Sequence, residues 1–298
     1  MLETFTSFNV LTDKNADVTI HGIKGGSGPP LLLIHGAPQT HHTWHRVAPL
    51  LTSRYTIVAV DLRGYGASSK PPHTHDHVAY SKSAMAFDCV AVMEALGFQR
   101  FFVCGHDRGA RVTHQLCIDY PNTVIKAILL DICPTVAMYS NVSGGVATAY
   151  WHWFFLIQPY PLPETLLSRD HGKWLSMFMG AFKNGSGPSD IFTAAAFEEY
   201  RKAAESNGAV AGMCEDYRAS ATVDLEQQRN DIRDGKKIQC ELYVLWGKEG
   251  LLAKNFDVLK EWQQVCAKTV RGQAIESGHF MPEEVPDLIV QEMQCFLV

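Results

Sequence analysis

Short, wholly apolar runs recur along the chain, separated by stretches with helical spacing. Pro30–Ile34 and residues 55–60 are β-branched and aliphatic, and each run leads into a glycine-containing loop. Residues 101–104, 126–130 and 241–245 have the same character. Continuous apolar runs of this length predict buried parallel strands. Residues 83–96 have helical spacing closed by Gly97 as a C-terminal cap, and residues 111–117 read as a further helix. The character changes between about residues 134 and 235. Trp151, Trp153, Phe154 and Phe155 cluster there, followed by charge-rich helical segments such as 194–206, with no convincing strand. The pattern predicts an α/β fold with a mostly parallel sheet flanked by helices. Residues 1–133 and 236–298 would form the core domain, and residues 134–235 an inserted α-helical cap.

Composition narrows the picture. With 298 residues, 46% of them hydrophobic, the chain can bury a sizeable core. A net charge of -5 and a pI near 6.2 give no reason to expect nucleic acid or an anionic membrane as partner. Residues 1–5 lack a basic region followed by an apolar run, so no signal peptide is expected. No apolar stretch approaches the roughly 20 residues that span a bilayer. The eight cysteines are scattered singly, which reads as reduced, mostly buried thiols. These features point to a soluble cytoplasmic protein acting on a small molecule.

The candidate chemistry centres on Gly105-His106-Asp107-Arg108-Gly109. Gly-x-nucleophile-x-Gly between a strand and a helix is the nucleophile-elbow pattern, with small residues permitting a sharp turn. Aspartate stands where serine is usual, and a carboxylate nucleophile forms an ester with an alkyl carbon while displacing a leaving group. Its base should be a histidine late in the chain and in a loop. Among thirteen histidines His279, between residues 274–276 and a helix expected at Pro282, meets both conditions. The acid that orients it is Asp131, at the carboxyl end of the run 126–130, with Glu249 as the alternative; the aspartate position expected after 241–245 holds Gly250.

With His35-Gly36-Ala37-Pro38, the segment Asp61 to Ser68, the Asp107 elbow and His279, the chain resembles the epoxide hydrolase and dehalogenase branch of the α/β-hydrolases. More narrowly, Asp107-Arg108-Gly109-Ala110-Arg111, residues 151–155 and Asp216-Tyr217-Arg218 resemble the fluoroacetate dehalogenases over essentially the whole length. The resemblance implies hydrolytic dehalogenation of 2-haloacids without a cofactor, in a homodimer. Arg108 and Arg111, three apart at a helix start, would hold the substrate carboxylate with their guanidinium forks. Haloalkane dehalogenases would have tryptophan directly after the nucleophile, so Arg108 argues for an acidic substrate. His152, Trp153 and Tyr217 would donate to the departing halide. Backbone N–H groups of Ala37 and Arg108 would stabilise an oxyanion. Ala37 stands where the family often has phenylalanine, so the pocket should admit bulkier acids.

His73-Thr74-His75-Asp76-His77 is one residue short of a binuclear zinc signature and is expected to be a solvated, metal-free loop. Asp61 and Arg63 are expected to stabilise a turn. Epoxide hydrolysis is the competing reaction, since it uses the same nucleophile but needs cap tyrosines, of which Tyr217 remains. A purely ligand-binding role fits poorly with a complete Asp107, Asp131 and His279 set.

Overall fold

A computed structural model describes residues 2–14, 17–180 and 191–298. Its centre is an eight-stranded sheet in the order β1-β2-β4-β3-β5-β6-β7-β8. The strands are β1 (Thr6–Asp13), β2 (Val18–Gly26), β3 (Pro30–Ile34), β4 (Thr56–Val60), β5 (Phe101–His106), β6 (Val124–Leu130), β7 (Glu241–Gly247) and β8 (Arg271–Ile275). β3 to β8 pair in parallel, whereas β1 pairs antiparallel with β2 and β2 with β4.

Side chains alternate across a strand, and β3 illustrates the result. Leu32 and Ile34 join one buried cluster, while Leu31 and Leu33 join the other, on the opposite face. Both faces are covered, which is why these strands are continuously apolar. The edge pair β1–β2 escaped the sequence pattern. β1 is half exposed throughout and mixes polar with apolar positions, so it lacks the continuous run that marks the central strands.

Helices α1 (Ala48–Leu51), α2 (Lys82–Ala95) and α3 (Arg108–Asp119) belong to the first half of the sheet domain. α2 is capped by the Ser81 hydroxyl, which accepts from the Ala84 amide at 3.2 Å, and ends at Gly97 with φ +89°. Between β6 and β7 the described residues form helices only. These are α4 (Thr135–Ser140), α5 (Gly144–Ala149), α6 (Trp151–Leu156), α7 (Leu162–Leu167), α8 (His171–Gly180), α9 (Ala194–Glu205), α10 (Ala209–Ala221) and α11 (Val223–Arg233). α12 (Leu251–Asn255), α13 (Val258–Gln264), α14 (Met281–Glu284) and α15 (Pro286–Phe296) follow β7 and β8. Among the described residues no helix is long and apolar enough to cross a membrane. All eight cysteines are free thiols, seven of them buried.

The inserted helices are fused to the sheet by apolar packing. Trp153, Met213 and Tyr217 share a cluster with the sheet residues Leu32 and Val60. A further cluster joins Leu175, Met179, Phe192 and Tyr200 of the insert to Phe280, which directly follows His279.

Candidate active site

β5 stops at His106 and α3 starts at Arg108, so Asp107 alone makes the turn, with φ 48° and ψ -114°. No L-residue adopts that backbone cheaply, and it projects the side chain from the top of the sheet. The turn works because glycines stand two positions to either side, at 105 and 109. A Cβ on Gly109 would lie 2.4 Å from the carbonyl oxygens of Ile34 and His35. Gly36 is required for another reason, since a Cβ there would meet the Asp107 Cβ at 2.5 Å. This close approach lets the Ala37 amide donate to Asp107 Oδ1 at 3.0 Å, and the Arg108 amide bonds the same carboxylate.

His279 reaches the site from the loop after β8. Its Nε2 lies 3.8 Å from Asp107 Oδ2, and its Nδ1 lies 2.6 Å from Asp131 Oδ2. Asp131 directly follows β6, with φ 53°, and its other oxygen accepts from the Gly247 amide at 3.0 Å. Glu249 is exposed in the loop beyond β7. The loop bearing His279 is clamped on both sides. Glu284 accepts from the amides of Gly278 and Phe280, both at 2.8 Å, and His106 Nε2 donates to the His279 carbonyl at 2.7 Å.

The protonation states follow from these contacts. Burial pushes the Asp107 carboxyl up, but the charges of His279 and Arg108, with the Arg108 amide hydrogen bond, outweigh it and hold the group below its usual value. Burial disfavours the His279 cation, yet its hydrogen bond to Asp131 and the charges of Asp131 and Asp107 raise it overall. Burial lowers His106 to about 4, so it is a neutral donor at physiological pH.

The two arginines of the elbow helix have different surroundings. Arg108 is wholly buried and grips Asp216 of α10, through Nε at 3.0 Å and Nη2 at 2.7 Å. Asp216 also accepts from Tyr65 at 2.6 Å and from the Lys82 ammonium. Arg111 has no ion pair with a carboxylate among the described residues. Its Nη1 donates to Thr135 Oγ1 at 2.8 Å and to the Cys133 carbonyl at 3.3 Å. Arg108 Nη1 and Arg111 Nε are buried with no acceptor among the described residues.

Aromatic side chains close the site. The Arg108 guanidinium lies 4.3 Å over the Tyr217 ring and that of Arg111 lies 4.8 Å over Trp153. Tyr217 is 6.2 Å, centroid to centroid, from both His152 and Trp153. Burial lowers His152 to about 3, leaving a neutral imidazole. Tyr139 and Tyr150 pack on Trp153 at 5.6 and 5.2 Å, and the Tyr139 hydroxyl is buried with no partner among the described residues.

The matched family model spans residues 29–286 and describes the alpha/beta hydrolase fold. The chain belongs to this family. It is 43% identical to a fluoroacetate dehalogenase from Burkholderia sp, over 94% of this chain and 91% of that one. A soluble epoxide hydrolase from Corynebacterium sp. (strain C12) is 30% identical over 91% of each. A solved structure of a candidate alpha/beta hydrolase from Nostoc sp PCC 7120 superposes with a TM-score of 0.95 at 44% identity, covering 100% of this chain and 99% of that one.

Within this α/β-hydrolase, Asp107, Asp131 and His279 converge, and Arg108, Arg111, His152, Trp153 and Tyr217 surround them. The Ala37 amide, expected to face an oxyanion, donates to Asp107 Oδ1. Asp61 accepts from the amides of His41 and Ala67 and so braces its turn, while Arg63 pairs with Asp88. Sequence reasoning missed the roles of His106, Glu284 and Tyr139. The loop at 73–77 is exposed at Thr74, His75 and Asp76, with a tether that the sequence did not show. It is pinned to the insert, where His73 Nδ1 and His77 Nδ1 lie 3.3 and 2.9 Å from Glu215.

Proposed function

We propose that the protein hydrolyses 2-haloacids, such as fluoroacetate and chloroacetate, to 2-hydroxyacids and halide through an ester on Asp107. The observation that carries this reading is the pair of buried guanidinium nitrogens without an acceptor, Arg108 Nη1 and Arg111 Nε. A buried donor left unpaired costs about 1–3 kcal/mol, and more when charged. A carboxylate on the substrate supplies the acceptor and offsets the charge of Arg111.

In the first step Asp107 Oδ2 attacks the carbon bearing the halogen, and the carbon–halogen bond breaks with its electron pair on the halide. The indole N–H of Trp153, the phenol of Tyr217 and the imidazole of His152 donate to that halide. In the second step His279 takes a proton from water, whose oxygen attacks Asp107 Cγ. The charge that develops on Oδ1 faces the Ala37 and Arg108 amides. Collapse expels the 2-hydroxyacid alkoxide, which recovers the proton from His279, and Asp107 ionises again. The helices between β6 and β7 act as a cap that keeps bulk water from the attacking carboxylate.

The existence of a relative named fluoroacetate dehalogenase supports the substrate class. The decisive experiment is a single turnover in heavy-oxygen water. The label should enter the Asp107 carboxylate, because water attacks Cγ. Label found wholly in the product would overturn the ester mechanism.

Epoxide opening is the second reading, favoured by Tyr139 and Tyr150 standing with Tyr217 around the site and by the epoxide hydrolase relative. Halide release from haloacids set against diol formation from epoxides separates the two.

A further inference from the structure

At the junction of the sheet domain and the insert lies a second cluster of chemically capable side chains, away from Asp107. The loop 71–77 presents His73 and His77, and α10 presents Glu215. Nδ1 of His73 lies 3.3 Å from Glu215 Oε1, and Nδ1 of His77 lies 2.9 Å from Oε2. With one ligand atom taken from each residue, all three fall within 4.8 Å of one another. We propose that His73, His77 and Glu215 form a binding site for a divalent transition-metal ion of the zinc class.

The geometry suits such an ion. Zinc bonds of about 2.0–2.2 Å to nitrogen and oxygen, arranged tetrahedrally, put neighbouring ligand atoms about 3.3 Å apart. The nitrogen–oxygen separations here, 3.3 Å to Glu215 Oε1 and 2.9 Å to Oε2, lie at and somewhat below that value. Two imidazoles and one carboxylate are also the donor set that zinc, cobalt and nickel prefer over magnesium or calcium.

Each ring can supply a lone pair without losing its proton. In the hydrogen-bonded form the proton sits on Nδ1; with metal bound it sits on Nε2. The side chains of His73 and His77 are 28% and 17% exposed, so water can meet those N–H groups and take the fourth coordination position.

Charge also permits the ion. Arg218 Nη1 donates to Glu215 at 2.8 Å, but it pairs with Glu164 at 2.6 Å as well, and its other nitrogens hold the Gln158 carbonyl. Glu164 therefore balances Arg218, and the charge of Glu215 remains for a cation. The ring of His73 is further held by stacking on Tyr160, at 5.1 Å with an interplanar angle of 12°. The histidine-rich segment lacked a ligand as a linear motif, and Glu215 provides one from 138 residues beyond His77. A bound ion would tie the loop to α10 immediately beside Asp216 and Tyr217.

The test is calorimetric titration of the metal-free protein with Zn²⁺, together with Co²⁺ absorption as a reporter of tetrahedral coordination. One equivalent should bind, with a cobalt spectrum typical of a tetrahedral site, and Zn²⁺ should raise the unfolding temperature. His73→Ala and His77→Ala should each weaken binding at least tenfold and abolish the thermal shift. His73→Gln, which keeps a donor toward Glu215 but removes the imidazole, should fold normally by circular dichroism and still lose the metal. His21→Ala, in the separate His21, His41 and Asp61 cluster, should leave binding intact. Absence of saturable binding, retention of full affinity in His73→Gln, or loss in His21→Ala instead would each overturn the proposal.

Discussion

Arg108 and Asp216 form a two-pronged ion pair in which neither side chain retains measurable exposure to solvent. Because Lys82 and Tyr65 converge on the same carboxylate, this pair joins α3, α2 and a core loop to the inserted helix α10. Arg111 has no such partner among the described residues. The two arginines should therefore fail in different ways.

Arg108→Leu should be destabilising by up to about 3–5 kcal/mol, because it removes the foremost counter-charge of a buried carboxylate and leaves only Lys82 and Tyr65 on it. Arg111→Leu should leave stability nearly unchanged and weaken haloacid use by about 1.5–3 kcal/mol, roughly tenfold or more in kcat/KM. Chemical denaturation and steady-state kinetics measure both. Equal loss of stability in the two variants would make Arg111 structural.

His279→Asn separates the half-reactions. Ionised Asp107 needs no base to expel halide, but water needs one to cleave the ester. The variant should release one equivalent of halide and then stall with an adduct visible in its intact mass. Repeated turnover would remove His279 from the base role.

The pH dependence of turnover rests on the charges around His279. Asp107 and Asp131 together raise it in the free protein. On the proposed mechanism, formation of the ester would cancel the Asp107 charge, so His279 should fall and become a neutral base when one is required. Asp131→Asn removes a larger support still. Its acidic limb for turnover should move to lower pH, while the plateau drops by as much as about 10⁴ through loss of imidazole orientation. An unmoved limb would contradict the coupling.

Glu283 sets a pH dependence of stability. It is buried against Tyr200 of the insert, and burial pushes it up to about 8. Between its ordinary value of 4.5 and about 8 the folded chain binds more protons at this group than the unfolded chain. Its contribution to stability is therefore lost as pH rises through that window. Glu283→Gln should flatten the fall in unfolding temperature across it, as followed by scanning calorimetry; an unchanged slope would place the titrating group elsewhere.

Fluoride and chloride should respond differently to the aromatic cluster. Fluoride concentrates charge and depends on hydrogen bonds, whereas chloride is diffuse. Removing one donor from a dry site costs about 2.7–4 kcal/mol. Trp153→Phe, Tyr217→Phe and His152→Ala should each cut fluoroacetate turnover by orders of magnitude and spare much of the chloroacetate activity. Parallel losses in folded variants would assign these residues to pocket shape alone.

The central strands, the turn at Asp107 and the late loop of His279 were legible in the sequence because each leaves a local mark: a continuous apolar run, paired glycines, a short strand before a proline. The elements that support them are joined across long separations. Arg108 meets Asp216 over 108 positions, His73 meets Glu215 over 142, and His106 meets the His279 carbonyl over 173. No periodicity encodes such a pairing. Asp216 stood out beside Tyr217, but its partner became visible only in the fold, where Arg108 at the start of α3 reaches α10. β1 was missed for a simpler reason, since a half-exposed edge strand carries a mixed pattern that loops also have.

Asp107 and Asp131 directly follow neighbouring strands, with φ of 48° and 53°. Backbones of this kind cost about 1–3 kcal/mol at a residue with a side chain, and glycine escapes the cost. Heat tolerance and turnover thus pull in opposite directions at the same two codons. A library of variants sorted only for survival at high temperature would enrich glycine at 107 and 131 and return sturdier, inert proteins, so directed evolution of this scaffold has to score halide release in every round.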